Sequence, residues 1–271
     1  SCPWAHRAWL TWTLRRLGDS IDLVIVEPDP AAGRWRFPTP FEGCATLMEL
    51  YRRSGAAAGV RATVPALWSR RQGRILIGES ARLIELLNGW PTPDGPDLAP
   101  PQRRQAIEHW RDRLQGTVND GVYRCGFART QAAYDEAEAA LFASLDAVEA
   151  ALAEQERSGA KWLCGLDPTL ADVVLFPTLI RFETVYAPLF GCSRRPLWTL
   201  PALWRWRARF HGLDGVAATC FPEAWRADYF GALFPLHPSG IVPAGPDLAT
   251  LVGGAGAPVP IPAASEPPPS P

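Results

Sequence analysis

The chain opens Ser1-Cys2-Pro3-Trp4-Ala5-His6-Arg7, and this heptapeptide constrains the rest more than any other stretch. Proline is pre-organised for the first position of a helix, where its missing N–H would be unpaired in any case. Trp9, Trp12, Thr13 and Leu17 follow at helical spacing and Gly18 offers a stop, so a helix is expected over residues 3–17. Cys2 therefore falls at a helix N-terminus, where free N–H groups and the positive end of the dipole favour a thiolate. Ala5 stands where a Cys-x-x-Cys pair would carry its second thiol. A monothiol oxidised in turnover rests as a mixed disulfide with an external thiol. On the tetrapeptide alone, a small buried apolar residue is an equal reading of Cys2.

The downstream order is helix, strand, helix, strand, strand, helix. Residues 21–26 are rich in β-branched side chains and predict a strand. A long loop over 27–59 contains Trp35 and a short helix at 46–53. Proline is awkward inside a central strand, so Val64-Pro65 marks a strand start and is a candidate cis bond. A second short strand is expected at 74–77, and a helix at 81–88 with Ser80 as its N-cap. This order is a thioredoxin-like α/β unit whose first strand is missing, with the Cys-Pro helix and the Val-Pro strand as its two ligand-contact points. Five prolines between 89 and 101 predict an interdomain linker. Beyond it the pattern is helical, at 102–118, 130–156, 169–186, 201–211 and 221–229. Residues 119–127 look too glycine-rich for a helix interior. The expected organisation is thus a unit over 1–90, a linker over 91–101, an all-α domain over 102–243 and a disordered tail over 244–271.

Composition narrows the function classes. A net charge of -1 gives no electrostatic footprint for nucleic acid or an anionic membrane. The six cysteines are scattered without metal-ligand spacing, which argues against a zinc site and for reduced thiols in the cytoplasm. No apolar run is expected to reach the roughly 20 residues of a membrane span, and no signal peptide is visible. The chain has no initiator Met and begins inside a motif. The expectation is therefore a fragment, or a start placed too late, lacking the strand before Cys2.

Several motifs together resemble the glutathionyl-hydroquinone reductases, the xi class of the glutathione transferase superfamily. They are Cys2-Pro3-Trp4-Ala5-His6-Arg7, Trp35-Arg36-Phe37, Thr63-Val64-Pro65-Ala66-Leu67-Trp68 and Gly78-Glu79-Ser80. Further along come Asn119-Asp120-Gly121-Val122-Tyr123-Arg124-Cys125-Gly126-Phe127-Ala128 and the run from Phe176-Pro177-Thr178 to Tyr186. Asp228-Tyr229-Phe230 and Pro238-Ser239-Gly240-Ile241-Val242-Pro243 extend the likeness to about residue 248.

The resemblance implies a glutathione-transferase-type helical C-terminal domain and a homodimer. It also implies a cysteine chemistry in which Cys2 takes glutathione from a glutathionyl-hydroquinone and a second glutathione resolves the mixed disulfide. Tyr123, Tyr186 and Tyr229 would then line the hydroquinone pocket as hydrogen-bond or proton donors. Glutathione, the co-substrate, would pair its backbone with Val64 and pack near Trp35. Its γ-glutamyl amine would meet Glu79, and its γ-glutamyl carboxylate would meet Ser80 and the helix N–H groups after it. Arg61 could neutralise a carboxylate. Metal, nucleic acid and membrane have no part in this reading. Two alternatives are an omega-like thiol transferase or dehydroascorbate reductase, which needs no tyrosine cluster, and an inactive truncated protein of the same fold.

Overall fold

A computed structural model describes residues 1–29, 34–232 and 236–253. Helix α1 (Pro3–Leu14) starts as its sequence dictates, with Cys2 extended at the N-cap and Pro3 in the first turn. Three short strands follow: β1 (Glu27–Asp29), β2 (Arg34–Phe41) and β3 (Cys44–Thr46) form an antiparallel sheet in the order β1-β2-β3. The loop expected over 27–59 is thus largely this sheet. It is followed by α2 (Leu47–Arg53), which Thr46 and Glu49 close with a capping box. Strands β4 (Leu67–Ser69) and β5 (Arg74–Ile77) pair antiparallel, Leu67 facing Ile77, after a cis Val64-Pro65 bond.

The strand expected at 21–26 does not form. Its residues have no ladder partner among the described residues, and Leu23, Val24 and Ile25 are 39%, 42% and 46% exposed. β-branched side chains favour extended backbone, but a strand needs a neighbour to hydrogen-bond to. The residues 64–68 that could serve lie across an apolar trough of about 410 Å³.

Helix α3 (Ser80–Asn88) is capped one residue earlier than expected. Glu79 is the N-cap, its carboxylate accepting from the backbone N–H of Ala81 (2.8 Å) and Arg82 (2.9 Å). The proline-rich segment after α3 is pinned to α1. Arg15 donates to the carbonyls of Trp90, Gly95 and Pro96 at 2.6–2.9 Å, and Leu98 is fully buried.

The helical part comprises α4 (Arg104–Leu114), α5 (Gly121–Gly126), α6 (Gln131–Arg157), α7 (Leu170–Leu179), α8 (Ala187–Phe190), α9 (Pro201–His211) and α10 (Pro222–Ala232). Residues expected to be non-helical are helical. A π-type turn at Gln115–Asn119 runs into α5. The glycines serve close packing here: a Cβ at Gly126 would lie 2.4 Å from the Phe190 ring. Leu170–Phe190 also corrects the sequence reading. It is 21 residues long with mean hydropathy 1.4, enough to cross a membrane by length and composition, yet 89% of its apolar window is buried inside the protein. It is the axis of the main core, which packs Phe176, Leu179 and Tyr186 against Leu141, Leu145, Trp206 and Phe210.

The expected disordered tail begins with ordered structure. Asp247 caps α11 (Leu248–Val252), Leu251 is fully buried, and Trp204 Nε1 donates to the Leu251 carbonyl at 2.8 Å. The remainder of that tail, 254–271, lies outside the described residues.

Candidate active site

Cys2 is half-buried at the tip of α1, its Sγ 3.7 Å from the Val64 carbonyl. The two contact points read from the sequence therefore meet. Val64 and Pro65 line two cavities at once. On one side is the apolar trough, which holds Cys2 and Trp35. On the other is a polar cleft of about 750 Å³ that holds Glu79 and Ser80, with Trp4, Arg7 and Arg111 on its walls. Carboxylates (Glu79, Glu85, Glu108, Asp112) and two guanidiniums (Arg7, Arg111) line this cleft, and both signs of charge suit a zwitterion. Arg61 is exposed and lines neither cavity. Glu79 already fills the first helix N–H groups of α3, those of Ala81 and Arg82, so they are not free for a carboxylate.

Three tyrosines from three distant elements converge beside α1. Tyr123 on α5 and Tyr229 on α10 share a hydroxyl–hydroxyl hydrogen bond of 2.5 Å, and Tyr186 reaches Tyr229 at 3.3 Å. Tyr123 stacks on Trp4, two residues after Cys2, with centroids 6.3 Å apart. Phe190 packs against all three rings. Burial raises all three phenols above their ordinary value, Tyr123 and Tyr229 well above it, and the phenols reinforce one another in those two. They hold their protons at neutral pH and can donate them.

Sequence reasoning missed the residue that joins these parts. Arg181, just past α7, is 2% exposed. It donates to the Ser1 carbonyl (3.2 Å), the Pro177 carbonyl (2.8 Å) and His6 Nδ1 (2.9 Å), with its guanidinium 4.0 Å from the Trp225 ring centroid. His6 Nε2 in turn meets Thr219 Oγ1 at 2.7 Å. Ser1 also hydrogen-bonds Asp228, next to Tyr229. A lone arginine within a long apolar run was the available signal. Among the described residues, no group of three or more His, Cys, Asp or Glu is placed to hold a metal ion.

Residues 1–89 match the glutathione S-transferase N-terminal domain, and residues 131–209 match its C-terminal domain. The glutathionyl-hydroquinone reductase PcpF of Sphingobium chlorophenolicum is 35% identical over 256 residues, 91% of this chain and 80% of PcpF. This chain belongs to the xi class of the glutathione transferases. The glutathione-bound structure of YqjG from Escherichia coli K-12 superposes with a TM-score of 0.83 at 32% identity, covering 91% of this chain and 83% of that one. The xi transferase of Phanerochaete chrysosporium gives 0.82 at 34% identity, covering 90% and 82%. The fold of the class is accordingly a thioredoxin-like unit followed by a helical domain. In this xi-class chain the first carries Cys2 and the second carries all three tyrosines.

Proposed function

We propose that this chain reduces glutathionyl-hydroquinones to hydroquinones at the expense of glutathione. The observation that carries the reading is the joining of a monothiol helix tip to a buried cluster of protonated phenols through Trp4 and Tyr123. The Cys2 thiolate attacks the thioether sulfur. The carbon–sulfur electron pair stays on the aromatic carbon, which takes a proton from the phenol cluster. Cys2 is left as a mixed disulfide with glutathione. A second glutathione thiolate attacks the glutathione sulfur, releasing glutathione disulfide and the Cys2 thiolate. Ala5 makes the external thiol necessary.

In this reading glutathione lies in the polar cleft with its cysteinyl backbone on Val64. Its γ-glutamyl amine faces Glu79 and its γ-glutamyl carboxylate faces Ser80. Trp35 packs from the trough side, and Arg61 acts at longer range on a carboxylate. Cys2, Tyr123, Tyr186 and Tyr229 are the catalytic residues. The glutathione-binding unit spans 1–90 and the helical domain 102–243, and the protein works as a cytoplasmic homodimer without a metal.

The test is a parallel assay of a glutathionyl-hydroquinone and a simple glutathione mixed disulfide, with peptide mass mapping of quenched samples. The expected result is release of hydroquinone and a glutathione adduct on Cys2. Turnover of the mixed disulfide alone would give the omega-like reading instead.

A further inference from the structure

Behind the phenol cluster lie two thiols that this reaction does not use. Cys125 is on α5, two residues after Tyr123, and Cys192 follows the left-handed turn at Gly191 that ends α8. They are 3% and 0% exposed. Cys192 Sγ lies 3.9 Å from the Val122 carbonyl, one helical turn before Cys125, so its thiol sits on the α5 face that carries Cys125. Each thiol lies close enough to perturb the ionisation of the other. Three of the other cysteines bond elsewhere: Cys2 to Val64, Cys44 to Glu42 and Cys220 to Val216.

The neighbouring Cys192 thiol holds Cys125 below the ordinary thiol value, against burial and the Glu138 charge and with help from Arg124. The Cys125 thiol, with burial, raises Cys192. Tyr134, which donates to the Gly191 carbonyl at 2.5 Å, also faces the pair and stays protonated. Two neighbouring thiols can share one oxidation, the first taking the oxygen and the second resolving it.

We propose that Cys125 and Cys192 form a redox pair that closes to a disulfide under a small peroxide and ties α5 to the end of α8. The Cys125 thiolate attacks one peroxide oxygen and the O–O bond breaks. The departing hydroxide takes a proton to become water, leaving Cys125 as a sulfenic acid. The Cys192 sulfur then attacks the Cys125 sulfur, and the sulfenic oxygen leaves as a second water carrying the Cys192 proton. Two thiols lose two electrons, and one hydrogen peroxide gains them. Burial decides the oxidant: a molecule as bulky as glutathione disulfide cannot align with a sulfur that is enclosed, whereas a peroxide is about the size of water.

The consequence falls on the substrate pocket, and this step rests on the proposed function. Tyr123 and Phe190 ride on the two tied elements, with ring centroids 5.3 Å apart, and Gly126 already touches Phe190. Drawing the sulfurs to bonding distance moves one aromatic wall against the other.

The experiment treats the full chain with hydrogen peroxide, unfolds it in N-ethylmaleimide and digests it with trypsin without reductant. Trypsin places the two cysteines alone in the peptides 125–129 and 182–194. The expected result is one species joining these peptides, which dithiothreitol splits. Recovery of both peptides alkylated, in samples where Cys2 is oxidised, overturns the proposal. This arm needs no substrate and reads the same if the proposed activity fails. In a second arm, oxidised protein is given excess glutathione, which restores Cys2, and kcat/KM on the conjugate is measured. Wild type is expected to remain about ten-fold low while Cys192→Ala and Cys192→Ser recover. An equal lasting loss in both variants overturns it.

Discussion

Arg181 donates from Nε to the carbonyl of Ser1 at 3.2 Å, tying the residue before the nucleophile to the end of α7. The same guanidinium serves His6 Nδ1 and the Pro177 carbonyl, and no carboxylate of the described residues is in ion-pair contact with it. It positions the tip of α1 and does not touch the reacting atoms. Arg181→Lys keeps the charge but loses the planar fork that reaches three acceptors. The expected outcome is a fall in kcat/KM of about ten- to a hundred-fold, carried by kcat with KM little changed. Alkylation of Cys2 by iodoacetamide, followed by mass spectrometry, should slow in parallel. Lower thermal stability with unaltered kcat would reduce Arg181 to a packing residue.

Tyr229 is the centre of the phenol cluster, since its hydroxyl contacts both Tyr123 and Tyr186. Tyr229→Phe removes the shared partner and leaves two buried hydroxyls short of one bond each. Turnover of a glutathionyl-hydroquinone should fall by about a hundred-fold or more, the scale of a lost proton donor. Reduction of a simple mixed disulfide, whose leaving thiolate needs no carbon protonation, should change less than three-fold, about 0.6 kcal/mol. Equal losses on the two substrates would remove the proton-donor role.

What the sequence made legible was local. Pro3 after Cys2 placed the α1 N-cap, and the helical pattern of 130–156 placed α6 within a residue. Local chemistry failed where the answer lay in a distant neighbour. Residues 21–26 have strand composition and no ladder partner among the described residues. Gly121 and Gly126 look like breakers until Phe190 is seen against Gly126. Glu79 displaced Ser80 as the cap because its longer carboxylate reaches two N–H groups at once. The tyrosines were reached through family resemblance, since nothing in their spacing over 106 residues shows that Tyr123 and Tyr229 touch. Arg181 had only its oddity in an apolar run, and two of its three acceptors lie 175 and 180 residues away.

His6 gives stability a pH dependence of definite sign. Burial, then the Arg181 charge, hold its imidazole well below 6.5. The unfolded chain takes up a proton near 6.5 while the folded chain does not. His6 therefore contributes stability that is fully present above about 6.5 and is lost as pH falls towards its depressed folded value. One proton gives a slope of at most about 1.4 kcal/mol per pH unit. The urea midpoint of wild type should be lower at about pH 5.5 than at about pH 7.5, and this gap should narrow for His6→Gln, which has no proton to gain. A midpoint gap of the same size in the variant would assign the acid sensitivity to other groups.

Glu183 and Arg207 meet inside the helical domain at 2.6 Å, their side chains 4% and 0% exposed. Glu183 also accepts from the Leu197 N–H at 2.9 Å, and Arg207 donates to the Leu179 carbonyl at 3.2 Å. Two Arg207 nitrogens, Nε and Nη2, have no hydrogen-bond partner among the described residues. Such a pair is costly to break and adds little over a hydrophobic replacement. Glu183→Gln should destabilise by about 3–5 kcal/mol, because it strands a buried guanidinium. Glu183→Met with Arg207→Met should recover most of that loss. A residue of about 1–3 kcal/mol should remain for the Leu197 N–H that no longer finds an acceptor. Chemical denaturation of Glu183→Met, Arg207→Met and the double variant gives the cycle. A double variant as unstable as the sum of the singles would show that each charge is held by its own neighbours and not by the other.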